Sequence, residues 1–461
     1  MATLKTPSTL AIDAATLAKS FEYVLHNGVL YAPVDFIDGD TGVIPPPERK
    51  TWMPVTDQVL LVKARDQFDT MFRDPAQFRS FQYMVEQEAR YVETATHWLM
   101  VKSEDKLRVL RGDGKLYEPD GEFVANTIYW TLNDNEDDKA ELFAKITDWV
   151  GGDEEVATSL LRHLATTLAP HWSAGKYVLL IGAGRNGKSL LMTMLTKLFG
   201  THNTSSITRQ QISDADKALF DLNGKLLNVV FDGPADFVKD SGREKSLITG
   251  ETVSLRKLYA NAATDIRTNA LFIEGLNQEP RSRDKSSALQ ARLVRFVFPN
   301  KYADDQNFWS HMCSAKMLGA LLSLLLDHYV LQSEISVMLA PTQASKEAQI
   351  EHLVDNSLAL QYLIHLDETE TLPVEEFLLG MQFNDVVPQF QAWRKSFGDT
   401  TTWDAPSLLN MFRPLLITER KSVRINNVPR KARIISGLTE DALLVIQSQR
   451  EDLHAPAVVD D

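Results

Sequence analysis

The stretch richest in potential chemistry is Gly182-Ala183-Gly184-Arg185-Asn186-Gly187-Lys188-Ser189. Its spacing, Gly-x-x-x-x-Gly-Lys-Ser, suits the phosphates of a nucleotide. Glycines at 182, 184 and 187 let the backbone turn and aim its N–H groups inward at phosphate oxygens. A helix beginning at the end of the loop adds the positive end of its dipole. Lys188 would reach the outer phosphates, and the Ser189 hydroxyl would take one position on Mg²⁺. ATP and Mg²⁺ are therefore the expected cofactors. The bland counterpart is a glycine-rich turn that merely shares the spacing.

Three further polar residues close apolar runs or precede them. Asp232 ends Lys225–Phe231, where an acid downstream of such a loop would hold Mg²⁺ and help orient the attacking water. Its other reading is the first residue of an Asp-Gly-Pro turn. Asn277 ends the run Ala270–Leu276 and could touch the γ-phosphate or the lytic water, or simply open a turn. Arg292 precedes Leu293–Phe298. An arginine there can reach a neighbouring subunit's nucleotide and stabilise charge in the transition state.

The elements that must carry these residues are legible as patterns. Tyr177–Ile181 is a short apolar run that reads as a buried strand, and Leu190–Leu195 favours helix. Two helices are expected upstream, over 138–150 and 154–169; in the second, Val156, Leu160, Leu161, Leu164 and Leu168 fall on one face. Residues 1–137 mix short patterns, with a hairpin over Leu107–Tyr117 turning at Asp113-Gly114. Asp35, Asp38 and Asp40 read as a polar loop more readily than as a metal-binding primase site. Beyond Tyr302 the chain reads as helices, with a core element over 317–326, a linking helix over 345–364 and another over 384–397. Glu419–Ile435 then reads as two strands about Asn426-Asn427 and carries six basic residues: a wing touching nucleic acid, or an edge hairpin guarded by charge. The expected segments are 1–137, a helical collar 138–174, a core 175–302, a helical extension 303–340 and a carboxy-terminal domain 341–461.

Composition narrows the classes. With 48 basic against 62 acidic residues the net charge is −14, so the chain as a whole does not invite nucleic acid, although one inner surface still can. The single cysteine, Cys313, excludes an intramolecular disulfide framework and any multi-cysteine zinc site, which fits a reducing cytoplasm. No signal-peptide pattern opens the sequence, and Leu318–Leu326 is too short to span a bilayer, so no membrane partner is expected.

Taken in order, these segments resemble the superfamily 3 helicases of DNA viruses, phages and plasmids, in particular the helicase half of the phage and poxvirus primase-helicases. The likeness runs from about Asp148 to Tyr302. Asn186 stands where that group has Asn in its loop, and Asn228-Val229-x-x-Asp232 resembles a strand that usually ends in Glu. Lys245–Glu251 with Val253–Tyr259 is similar to the family's Lys-x-Leu-Thr-Gly-Gly-Asp and basic-aromatic segment, departing at Ile248, Thr249 and Glu251. Asn277 with Pro280 resembles its sensor, and Asp284 with Leu289–Arg292 its arginine finger. The resemblance implies an α/β, AAA+-like P-loop ATPase core with a parallel sheet. It also implies a homo-oligomeric ring, taken as a hexamer, on single-stranded DNA, with Arg256, Lys257 and Arg267 facing DNA phosphates. A primase or polymerase would be its replication partner. The alternatives are an origin-binding or helicase-loading ATPase, a P-loop kinase, and a primase-helicase with activity in its first 140 residues.

Overall fold

The apolar runs in the middle of the chain pair as one parallel sheet. In chain order its strands are β1 (Tyr177–Ile181), β2 (Thr204–Ser205), β3 (Leu227–Val230), β4 (Leu271–Leu276) and β5 (Leu293–Val297). They lie side by side as β2-β3-β4-β1-β5, every neighbouring pair parallel. The computed structural model describes residues 7–26, 29–35, 50–55, 57–68, 72, 74–92, 98–104, 106–120, 123–214, 216–233, 241–256, 263–277, 287–355, 357–399, 401–425 and 428–454.

The near-continuous hydrophobicity of β1, β3, β4 and β5 follows from burial on both faces, whereas β2 is only half-buried. Val178, Leu180, Ile273 and Phe296 point to one core, Tyr177, Leu179, Phe272 and Leu276 to the other. The first core also holds α1 (Glu136–Trp149), α2 (Glu154–Ala165), α3 (Lys188–Asn203) and α4 (Ala315–Asp327) through Leu142, Leu161, Leu191 and Leu321. It takes in Leu99 and Ile128 as well, so one core draws on residues from both sides of positions 137, 174 and 302. The chain divides into two compact units, Met1–Lys346 and Glu347–Asp461.

Local chemistry sets the helix ends. Asn135 and Asp153 cap α1 and α2, accepting from Asp138 N at 3.1 Å and Glu155 N at 2.8 Å, and acidic first turns face the helix dipoles. The expected 154–169 helix stops at Ala165 and tightens into a 3₁₀ turn, Thr166–Leu168, because the Thr166 and Thr167 hydroxyls bond back to His163 O and Leu164 O. α3 is broken at Gly200, whose φ of 71° leaves the helical region.

Upstream, Lys106–Leu110 pairs with Leu116–Tyr117 as the hairpin pattern foresaw, inside a four-stranded sheet with Leu99–Ser103 and Asn126–Thr131. A second four-stranded sheet holds Val24–His26, Val29–Asp35, Lys50–Pro54 and Arg90–Tyr91. Asp35 ends one of these strands, while Asp38 and Asp40 lie outside the described residues. No single helix among the described residues is long and apolar enough to cross a membrane.

The second unit has its own core, including Leu363, Phe390, Phe412 and Ile435. The helix expected over 345–364 is in fact two, Gln343–Asp355 and Leu358–Thr369, because Ser357 caps the second by accepting from Leu360 N. The basic segment forms the antiparallel pair Leu416–Ile425 and Val428–Leu438, with Arg420 opposite Arg433.

His163 on α2 is fully buried against the Phe296 ring at 5.6 Å, and its Nδ1 donates to Ser159 O. Burial pushes its pKa down to about 4. The unfolded chain takes a proton near pH 6.5 that the fold refuses until about pH 4, so this contribution to stability is complete above pH 6.5 and lost as pH falls. Denaturant unfolding should show wild type losing about 3 kcal/mol more than His163→Leu between pH 7 and pH 4. Parallel losses would contradict the assignment.

Candidate functional site

Because the strands are parallel, the residues following β1, β3 and β4 emerge at the same edge. The loop Gly182–Gly187, Asp232 and Asn277 therefore meet at the carboxyl edge, where open α/β sheets present their crevice. β1 is also where the strand order turns, with β4 on one side and β5 on the other. Asn277 follows β4, which lies between the loop strand and the strand of Asp232. Gly182 N donates to Leu276 O at 3.0 Å and Gly233 N to Gly275 O at 3.0 Å, so all three strand ends are tied together.

The loop is braced from three directions. Asn186 Nδ2 donates to Phe298 O at 3.2 Å, and Tyr302 N donates to Arg185 O at 2.8 Å. Gly182 has no room for a side chain: a Cβ would meet Asn186 Nδ2 at 2.1 Å and Phe298 O at 2.5 Å. Gly187, at φ 92°, lies under the ring of Trp149, the last residue of α1, where a Cβ would meet ring atoms at 2.6 Å. Gly184 also has positive φ, 93°, with nothing within 4 Å of where a Cβ would stand, and Arg185 adopts φ 52°.

Lys188 opens α3 and is buried, its Nζ donating to Gly182 O and, at 3.0 Å, to Asn186 Oδ1. Burial lowers its pKa, and the nearby Asp232 carboxylate opposes that shift. An ammonium held this way is under-solvated and suited to an incoming anion. Ser189 and Asp232 are exposed at the same edge. The first-turn N–H groups of α3 have no intrahelical acceptor. These donors and oxygens fit a nucleotide phosphate with a divalent cation.

Arg292 lies elsewhere. It precedes β5, which runs parallel to β1, and its carbonyl accepts from Tyr177 N at 2.8 Å. It thus stands at the amino edge, separated from its own loop by a five-residue strand, roughly 16 Å. Lys176 shares that edge: its Nζ donates to Ala291 O at 2.8 Å, and its pKa is lowered by burial and then by Arg292. Arg267 follows the hairpin Val253–Arg256/Ala263–Ile266, and its Nε donates to Gly250 O at 2.8 Å. Arg256 lies in the first strand of that hairpin. Lys257, Pro280 and Asp284 lie outside the described residues.

Sequence reasoning passed over two residues at this site. Trp149 reads from its spacing as an ordinary core aromatic, and nothing local to it points at Gly187. Glu274 did carry a signal, a charge inside the apolar run of β4. It is 1% exposed, accepts from Tyr177 OH at 3.3 Å, and lies so close to Gly233 that a Cβ there would meet its Oε1 at 2.1 Å. Arg209 stacks over the same Tyr177 ring at 5.7 Å and donates to the buried Glu244 at 2.6 Å, tying helix Ser241–Ile248 to the sheet.

Residues 180–292 match the model of a protein family of unknown function, DUF5906. None of the curated proteins matches the chain. Among solved structures, the apo C-terminal region of NrS-1 aligns at 14% identity over 92% of this chain and 99% of that one, with a TM-score of 0.46. Its A form apo structure aligns at 13% identity over 91% and 99%, with a TM-score of 0.44.

Replacing Gly187 with Ala should cost about 2–4 kcal/mol in denaturant unfolding, from the left-handed backbone and the Trp149 ring together. In a Trp149→Ala background the same change should cost at least about 1 kcal/mol less. Equal costs in both backgrounds would show that the ring does not brace the loop.

Proposed function

We propose that the chain is a Mg²⁺-dependent ATP hydrolase that drives a replicative DNA helicase of a phage or mobile element. It would work as a ring, taken as a hexamer, on single-stranded DNA in the cytoplasm. The observation that carries this reading is the division of the candidate residues between two edges of one parallel sheet. The loop, Lys188, Asp232 and Asn277 share the carboxyl edge, while Arg292 is at the amino edge. A site completed by Arg292 must then draw it from another copy of the chain.

In this reading the loop and the first turn of α3 cradle the phosphates, and Lys188 exchanges its bonds to Gly182 O and Asn186 Oδ1 for phosphate oxygens. Ser189 and Asp232 are the residues that would hold Mg²⁺, which would supply positive charge against the phosphates. Asn277 would orient the attacking water, with Asp232 as the proposed base. Asp is one methylene shorter than the Glu usual in the resembled family, so its metal-holding role carries more weight than its role as base. Arg292 of the next subunit would stabilise charge developing on the transferred group. The different subunit contacts before and after hydrolysis would move the 253–266 hairpins along the strand. The same reading makes a primase or polymerase the expected replication partner.

Lys188→Ala should lower ATP hydrolysis by at least about 100-fold and abolish displacement of a strand from a forked duplex. Wild-type hydrolysis without strand displacement would instead favour a helicase-loading ATPase. Arg292→Ala should lower turnover by about 10³-fold or more while leaving equilibrium binding of a labelled ATP analogue within a few-fold of wild type. Unchanged turnover would remove Arg292 from the site.

A further inference from the structure

At the amino edge of the sheet, away from the glycine loop, lies a cavity of about 120 Å³. Its polar wall is assembled from distant parts of the first unit: His26, Asn126, His171, Lys225, Arg267 and Asn269. Among the described residues that line it, none is Asp or Glu, in a chain whose acids outnumber its bases 62 to 48. An acid-free wall holding the Lys225 and Arg267 side chains is an electrostatic trap for an anion.

The donors are fixed before any ligand arrives. Lys225 Nζ donates to Thr201 O at 3.0 Å and His202 O at 2.9 Å, which anchors the ammonium and leaves one of its three N–H groups over. Arg267 Nε donates to Gly250 O, which holds the guanidinium while both Nη groups remain to make a forked contact. Asn126 Nδ2 bonds Asn203 Oδ1 and Gly224 O, each at 2.9 Å, and Asn269 Nδ2 bonds Pro170 O at 2.9 Å, so the amides shape the wall. Burial lowers the Lys225 pKa, opposed by the Asp221 carboxylate, which is not among the residues lining the cavity; the ammonium has lost water and is receptive to an anion. The cavity has room for several waters, enough for one tetrahedral oxyanion.

We propose that this cavity binds a phosphate group, supplied either by the backbone of a nucleic acid or by free phosphate. Arg267 then acts at the base of the 253–266 hairpin, together with Lys225. The site is separate from the glycine loop and does not depend on how that loop is read.

The test uses the full chain carrying Lys188→Ala, so that the glycine loop does not dominate phosphate uptake. Inorganic phosphate is titrated by calorimetry, and a labelled oligothymidylate is titrated by fluorescence anisotropy over a salt series. Adding Arg267→Gln, a change at an exposed side chain, should weaken phosphate binding about tenfold. Lys225→Gln should do the same, with thermal melts confirming that each variant is folded. If oligothymidylate also weakens and its salt slope falls by about 0.7, the phosphate is a nucleic-acid backbone group. If only inorganic phosphate weakens, the ligand is free phosphate. No phosphate binding to the Lys188→Ala chain, or binding that neither added substitution changes, overturns the proposal.

Discussion

A parallel sheet has two chemically different edges, and the organisation of this protein depends on that polarity. All five strands of the central sheet run the same way, so loops after them collect at one edge and the residues before them at the other. The glycine loop, Asp232 and Asn277 are neighbours for that reason, although up to 95 positions separate them in sequence (277 − 182). Arg292, Lys176 and the anion cavity belong to the opposite edge for the same reason. Reversing one strand would send its site residue to the wrong side, and parallel pairing is maintained by burial of both faces.

The loop itself is held in a conformation it would not choose alone. Gly184, Arg185 and Gly187 all have positive φ, and the arginine adopts it at a steric cost. The restraint comes from outside the loop: Trp149 over Gly187, Phe298 O on Asn186 and Tyr302 N on Arg185. Lys188 is kept among carbonyl oxygens with Asp232 as its nearby counter-charge, so under the proposed function an incoming phosphate would meet a preset donor array.

The sequence made local structure readable and left long-range structure hidden. The strands at 177–181, 227–230, 271–276 and 293–297 announced themselves as apolar runs, and the strand pair expected over 419–435 as two runs separated in sequence by Asn-Asn. Gly182–Ser189 was visible because its chemistry is contiguous. Strand order was not readable, since nothing within β4 says that it lies between β1 and β3. Trp149 gave no sign of its partner, because a packing contact 38 residues away (187 − 149) leaves no periodic trace. Glu274 could have been noticed, as a carboxylate inside an apolar strand needs partners there. The break at residues 355–358 went unseen because helical spacing continues through it, while Ser357 supplies the cap. The anion cavity escaped because its residues come from several separate segments.

The central claim is that one nucleotide site is built from two copies of the chain, and mixing two inactive variants tests it most directly. Lys188→Ala lacks the loop's cation but keeps Arg292, and Arg292→Ala lacks the arginine but keeps the loop. Co-assembled in equal amounts, the two should regain ATP hydrolysis, because some interfaces then pair an intact loop with an intact Arg292. Hydrolysis that stays at the level of the separate variants, in mixtures shown to form hetero-oligomers, would contradict a shared site.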